Sequence, residues 1–358
     1  TGDWSSDVCS SDLINPIKNV TTLEYMNMQK DQRKIQKTGM ATFTISLPKT
    51  WIVKNKIKAG EYLSIFEEKD GSLHISRQLE QKITEEKTII VDNKKDDYVI
   101  RELVGNYLNG AHLIKITSKK EDLNLSLRKN IVKQAKKLIG FEIIEEDNRN
   151  IIIQDFFSSD YLSIIKSLRR SYNISSLMLK EAIKILKQES TSVENIQLWE
   201  DEVDRLYLLL RKQLGFAMKS SLKLKQLNLT TTDCMNYLLL IKIIENITDN
   251  TYYIAKDSIE LAGKIDKKLL EKIDEVSNML LVKYEKSVKS MLTKDLELAN
   301  EILDKKKRIF LKINNINTGQ YDLSKDNQVR ADSLLLNLFN MRLNINDISE
   351  MAIDHILQ

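Results

Sequence analysis

Apolar and polar positions along this chain follow two different periods, and the switch between them divides it into parts. Near the N-terminus Phe43, Ile45 and Leu47 alternate with Thr42, Thr44 and Ser46, the period of two expected of a strand with one buried face. Pro48 ends that strand because it has no N–H to donate, and Thr50 is placed to cap a short helix carrying Trp51. Gly60 and Gly71 lie where turns take positive φ, and a closing hairpin runs on to Ser76. From Thr88 to about Phe157 the pattern reads strand (KTIIVD), helix (ending at Gly110), strand (AHLIKITS), helix (ending at Gly140), then two strands around Asp147-Asn148. Beyond Ser158 there is no proline and there are only three glycines, Gly215, Gly263 and Gly319. Helical spacing runs through this part, broken at Gln188 to Ser192, Asn228 to Thr232 and Asn317 to Asp326. Six helices fit, in two sets of three, and apolar runs such as Tyr237 to Ile241 predict helices buried on more than one face.

The expected fold is therefore multidomain and mainly α: an N-terminal β domain over 29–79, a small α/β domain over 80–157, and a helical bundle over 158–358. Within the bundle the repeats run about 158–262 and 263–358. Residues 1–28 are set aside as a leader, because TGDWSSDVCSSDL shares no composition with the rest of the chain and a natural start fits Met26 or Met28. With 358 residues, 42% hydrophobic and 30% charged, the chain has material for two or three cores. No apolar run approaches the roughly 20 residues needed to cross a bilayer. Cys9 and Cys234 are too few for a disulfide framework and lack zinc spacing, which fits a reducing cytoplasm.

Charge is distributed unevenly. Lys30, Arg33, Lys34, Lys37, Lys49, Lys54, Lys56 and Lys58 outnumber Asp31, so Gln29 to Lys58 carries +7 while the whole chain carries +4. Such a concentration beside Thr38, Thr42, Thr44, Ser46 and Thr50 suits phosphate oxygens, which accept bonds from cations and hydroxyls alike. So small a domain buries too little apolar surface to be stable by itself, which implies dimerisation.

The order basic strand, Gly turn, alternating strand, short helix, Lys-Ala-Gly turn and hairpin, from Arg33 to Ser76, resembles the DNA-binding SpoVT/AbrB family of swapped-hairpin domains. The resemblance implies a homodimer in which two chains interleave their hairpins into one β-barrel that binds double-stranded DNA. It also implies that Arg33, Lys34, Lys37, Lys49 and the neighbouring Thr38 face that DNA.

A second feature lies in the helical part. Glu200 and Asp204, and again Glu245 and Asp249, are acids four residues apart and so share a helical face. Like charges at that spacing repel unless they are exposed or bridged by a cation. Asn300 to Asp304 falls 100 positions after the first of these tetrads, and Asn346 falls 97 after Asp249, which argues for an internal duplication. In length and helix order this part resembles the PhoU family of phosphate-uptake regulators, tandem three-helix repeats with paired acidic tetrads that bind metal. The resemblance implies a divalent metal or iron at Glu200, Asp204, Glu245 and Asp249. In the second repeat Asn300 replaces the leading acid, and Arg342 and Asn346 stand in the positions of Glu245 and Asp249, so a metal site is expected in the first repeat only.

AbrB-like domains joined to PhoU-like domains resemble archaeal phosphate-uptake regulators, and the combination implies a cytoplasmic DNA-binding transcriptional regulator tied to phosphate status. The alternative is an adaptor acting on a phosphate transporter or sensor kinase, its N-terminal domain serving mainly to dimerise it. No nucleophile beside a base, Gly-rich phosphate loop or His-rich centre points to an enzyme. His112, at the start of a strand, reads as a packed residue.

Overall fold

A computed structural model describes residues 32–67, 71–77, 85–156, 163–191 and 193–357. The leader expected over 1–28, and the expected boundaries at 79/80 and 157/158, lie outside these residues. The chain divides into two compact units between Lys82 and Ile83.

The first unit holds β1 (Gln36–Thr38), β2 (Thr42–Thr44), α1 (Lys49–Lys54), β3 (Leu63–Glu67) and β4 (Leu73–Arg77). β1 pairs antiparallel with β2, placing Lys37 opposite Phe43, and β3 pairs antiparallel with β4, placing Ile65 opposite Ile75. Gly60 and Gly71 take φ of +90° and +79°, the left-handed turns that glycine adopts without a Cβ clash. Two expectations are corrected here. Helix α1 starts at Lys49 with Pro48 in the capping position and no side-chain cap, so Thr50 is already inside the helix. The apolar face expected to be buried is open, with Phe43 67% and Ile45 54% exposed. The described strands of this unit form two separate two-stranded sheets, and no closed barrel is seen among the described residues. The exposure of Phe43 and Ile45 has a plain cause: two short hairpins supply too few strands to cover their own apolar residues.

The second unit opens with a four-stranded sheet flanked by two helices. Its elements are β5 (Glu86–Ile90), α2 (Asp96–Leu108), β6 (Leu113–Thr117), α3 (Leu125–Lys137), β7 (Phe141–Glu146) and β8 (Asn150–Asp155). Strand order is β5-β6-β8-β7, parallel between β5 and β6 and antiparallel elsewhere. Helix α2 buries Val99, Leu103 and Tyr107, and α3 buries Leu127, Ile131 and Ala135. Both sets repeat every fourth residue, which gives each helix a single apolar stripe to lay on the sheet. The strands answer with Ile114, Ile116, Ile151 and Ile153, all fully buried. Asn124 starts α3 by accepting a hydrogen bond from the Leu127 N–H at 2.7 Å.

The helical part follows as α4 (Ile164–Leu186), α5 (Glu194–Ala217), α6 (Ser221–Leu227), α7 (Thr231–Leu261), α8 (Lys267–Thr293), α9 (Leu296–Asp304), α10 (Lys306–Asn314) and α11 (Lys325–Leu357). Six helices were expected, and the two extra segments have local origins. The first repeat inserts the short α6 before a left-handed Asn228, and in the second the middle helix breaks at Lys305 into α9 and α10. Lys305 opens the run Lys305-Lys306-Lys307-Arg308, whose like charges disfavour one continuous helix through it.

Helix α7 is the centre of the bundle and packs against α4, α5 and α11, while α11 also packs against α8 and α9. One core spans both repeats, from Leu168 and Leu210 through Ile244 and Ile254 to Leu280 and Ile345. Tyr237, Leu240 and Ile241 are buried in this core, while Leu239 of the same apolar run is 51% exposed, so the burial on more than one face expected for the run is incomplete. Thr230 and Asp233 form a reciprocal capping box at the start of α7. Small buried hydroxyls bring helices close together, as where Ser287 and Ser349 join α8 to α11 at 2.8 Å. No described helix is long and apolar enough to cross a membrane.

A buried ion pair ties the sheet to the bundle. Lys212 on α5 donates to Asp155 at the end of β8, with side chains 10% and 13% exposed. Its ammonium also lies 4.5 Å from the Tyr107 ring centre and 5.1 Å from that of Phe141. Replacing Asp155 with Ala leaves a buried cation uncompensated and should cost about 3–5 kcal/mol in urea unfolding. Adding Lys212→Met to that variant should recover most of the loss. Equal stabilities for wild type and Asp155→Ala would show that the pair does not join the two layers.

Candidate functional site

Helices α5 and α7 lie side by side in the first repeat and carry the four acids singled out in the sequence. Val203 and Leu206 on α5, and Ile244, Ile247 and Thr248 on α7, point into the core, so the acids beside them are drawn to the edge of the bundle and half-buried. Carboxylate oxygens of Glu200, Asp204 and Asp249 lie within 4.8 Å of one another. Glu245 stands next to the group but bonds to Lys242, one turn back on its own helix. The structure thus brings three of the four together and turns the fourth to a lysine.

Electrostatics at this point are unfavourable to the ionised protein. Burial, followed by repulsion from Asp204, pushes the Glu200 carboxyl up to about 6, although Lys137 pulls the other way. Burial, with the charges of Glu245 and Asp204, pushes Asp249 up to about 6 as well. Asp204 is raised by the same loss of solvent, against the pull of Lys137. Lys137 comes from the last turn of α3, outside the bundle, and reaches Asp201 at 2.6 Å and Asp204 at 3.9 Å. It provides one positive charge for several negative ones.

A sequence reading could not have found Lys137, because nothing in the pattern of α3 says that its end docks against α5. The donor chemistry suits a hard cation. Three carboxylates from two helices offer oxygen ligands without sulfur or imidazole, which favours Mg²⁺ or Mn²⁺ and can also hold iron.

The corresponding place in the second repeat is reversed in charge. Asn300 spends its amide on the Leu296 carbonyl at 3.0 Å, and Asp304 is exposed. Arg342 and Asn346 are buried on α11, where Asn346 accepts a hydrogen bond from Lys283 of α8.

In the first unit Arg33, Lys34, Lys37, Thr38 and Lys49 are all exposed. Thr38 shares a hydrogen bond with Thr44 across the hairpin at 3.2 Å, on the face opposite to that of Lys37. His112 is half-buried, and its main-chain carbonyl accepts from the Asp155 N–H at 2.8 Å.

A helical bundle with an acidic cluster between two neighbouring helices is the class that fold and site define. Within it, residues 157–258 match the PhoU domain family model, a span that contains Glu200, Asp204, Glu245 and Asp249. A PhoU domain points to regulation of phosphate homeostasis and to interaction with phosphate-transport or signalling proteins. The match covers the first repeat and stops before the charge-reversed second one. Comparison with curated proteins finds no match.

The raised carboxyls imply a pH signature with a definite sign. A group whose pKa is higher folded than unfolded contributes no penalty below about pH 4, where both states are protonated, and a growing one as pH rises to 6. Without divalent cations, Asp249→Asn should therefore raise the melting temperature at pH 7.5 and leave it nearly unchanged at pH 4. A metal-free protein destabilised equally by the variant at both pH values would contradict this.

Proposed function

We propose that this chain is a homodimeric DNA-binding regulator of phosphate homeostasis whose helical domain, holding a divalent metal or iron, senses a signal or a protein partner. The observation that carries the reading is the pairing of two unlike units in one chain. One exposes a basic hairpin array, and the other contains the PhoU match with its acidic cluster.

For the first unit, double-stranded DNA is the partner that fits. Arg33 and Lys34 lie just before β1, Lys37 within it and Lys49 at the start of α1, and none of the four is used to fill a core. Lysines and arginines on such a surface neutralise backbone phosphates and position the protein, while Thr38 offers a neutral donor. The second copy is the partner that fits the apolar residues. Met40, Phe43, Ile45, Val53, Tyr62, Ile65 and Leu73 are between 54% and 96% exposed in a unit of two hairpins. Interleaving with an identical unit would bury them and complete the β-barrel.

For the helical domain, Glu200, Asp204 and Asp249 would ligate the ion, with Glu245 adjoining. A bound cation would supply the charge that these carboxylates lack. The domain would act by changing the arrangement of paired DNA-binding units, a role that needs no catalytic group.

Gel-shift titration of DNA fragments from phosphate-transport promoters, across a salt series, tests the reading. Affinity should fall with salt at a slope of about 0.9 per phosphate contact. Arg33→Ala with Lys37→Ala should lower affinity by about tenfold or more and reduce that slope, with the dimer intact by light scattering. A dimer that binds no DNA at low salt would overturn the regulator and leave the adaptor, in which the N-terminal unit serves to dimerise the chain.

A further inference from the structure

We propose that the second repeat holds a small phosphate-type oxyanion, bound by Lys283 of α8 and by Arg342, which takes the α11 position that Glu245 takes on α7 in the first repeat. This goes beyond the regulatory reading and does not depend on DNA binding. Two buried cations here lack a counter-charge. Lys283 is 6% exposed and Arg342 8%, and both carry their charge into the packed region between α8, α10 and α11.

Among the described residues, the other buried lysine, Lys212, is matched by Asp155. Here, among the described residues, no carboxylate lies within 4.0 Å of either Lys283 or Arg342. The neighbouring Lys306 reaches Glu350 only at 3.9 Å, in an exposed pair. Lys283 has three protons to donate, and the partner seen is the Asn346 side-chain oxygen. The Arg342 Nε is fully buried without an acceptor. Burial, then the charges of Arg342 and Lys306, pushes the Lys283 ammonium down to about 8, which still leaves it largely protonated at neutral pH.

Such a pair is costly, since each cation loses its hydration and the two repel one another. An anion would remove both costs. The local geometry prepares for one. The Arg342 guanidinium carbon lies 4.8 Å from the Phe339 ring centre and 5.1 Å from that of Phe310. Aromatic faces hold the flat group and leave its N–H donors, which point outward in the plane, for oxygen acceptors. Lys283 adds a point charge on the facing helix. A phosphate group near neutral pH carries between one and two negative charges and several acceptor oxygens, which match two cations and their spare protons. A single carboxylate would neutralise only one of them.

Equilibrium dialysis of the full chain against inorganic phosphate tests this. A parallel arm with glycerol phosphate distinguishes the free ion from a phosphate monoester, and chloride at matched ionic strength is the reference for both. One phosphate per chain is expected in at least one arm. Arg342→Gln and Lys283→Met should each weaken it by about tenfold or more, the value of one charge-assisted hydrogen bond. In chloride, Lys283→Met should melt higher than wild type, and the wild type should gain melting temperature on adding phosphate while Lys283→Met does not. Absence of binding by the wild type in both arms up to about 10 mM would overturn the proposal without any variant. Undiminished binding by both folded variants would overturn it too.

Discussion

Carboxylates on facing helices repel, and this repulsion between Glu200, Asp204 and Asp249 is the constraint around which the first repeat is arranged. The acids are half-buried because their helices must bring Val203, Leu206, Ile244 and Ile247 into one core. The surroundings answer the resulting charge in stages. Lys242 takes Glu245, Lys137 reaches in from α3 to Asp201 and Asp204, and burial, together with the repulsion that remains, holds Glu200 and Asp249 well above the usual carboxylate range. A divalent cation would complete that sequence. Because Lys137 belongs to the α/β layer, whatever neutralises the cluster also bears on how that layer sits against α5.

The second repeat keeps the packing and inverts the chemistry. Leu338 and Met341 enter the core from α11 as Ile241 and Ile244 do from α7, so the duplicated helices still share one interior. The polar side chains that follow them are Arg342 and Asn346, and Asn346 is faced by Lys283. A site can change the sign of its charge without changing its fold, because the core is formed by apolar positions that the site does not use. Such a chain would present two unlike ionic sites on one bundle, and the family match ending at residue 258 runs in parallel with that divergence.

Legibility in the sequence followed the range of the interaction concerned. The strands and helices of the α/β layer were readable because their signals are local: the every-fourth-residue stripe Val99, Leu103, Tyr107 and the alternation at Ile151 and Ile153. The acidic tetrads were readable for the same reason. The break at Lys305 was missed because apolar spacing continues through it while charge does not. The burial expected for Phe43 and Ile45 assumed strands that the described residues of a single chain do not supply. Lys137 and Lys283 were invisible for a third reason: each meets its partners through packing between elements distant in sequence, and no residue near either of them announces it.

The claim on which most of this rests is that the first repeat is a cation site and the second is not. Anomalous scattering from crystals of the full chain soaked in Mn²⁺ tests it directly. The account predicts one peak per chain, bounded by Glu200, Asp204 and Asp249, and none beside Arg342 and Asn346. A peak in the second repeat, or an absence of manganese from the three carboxylates, would contradict it.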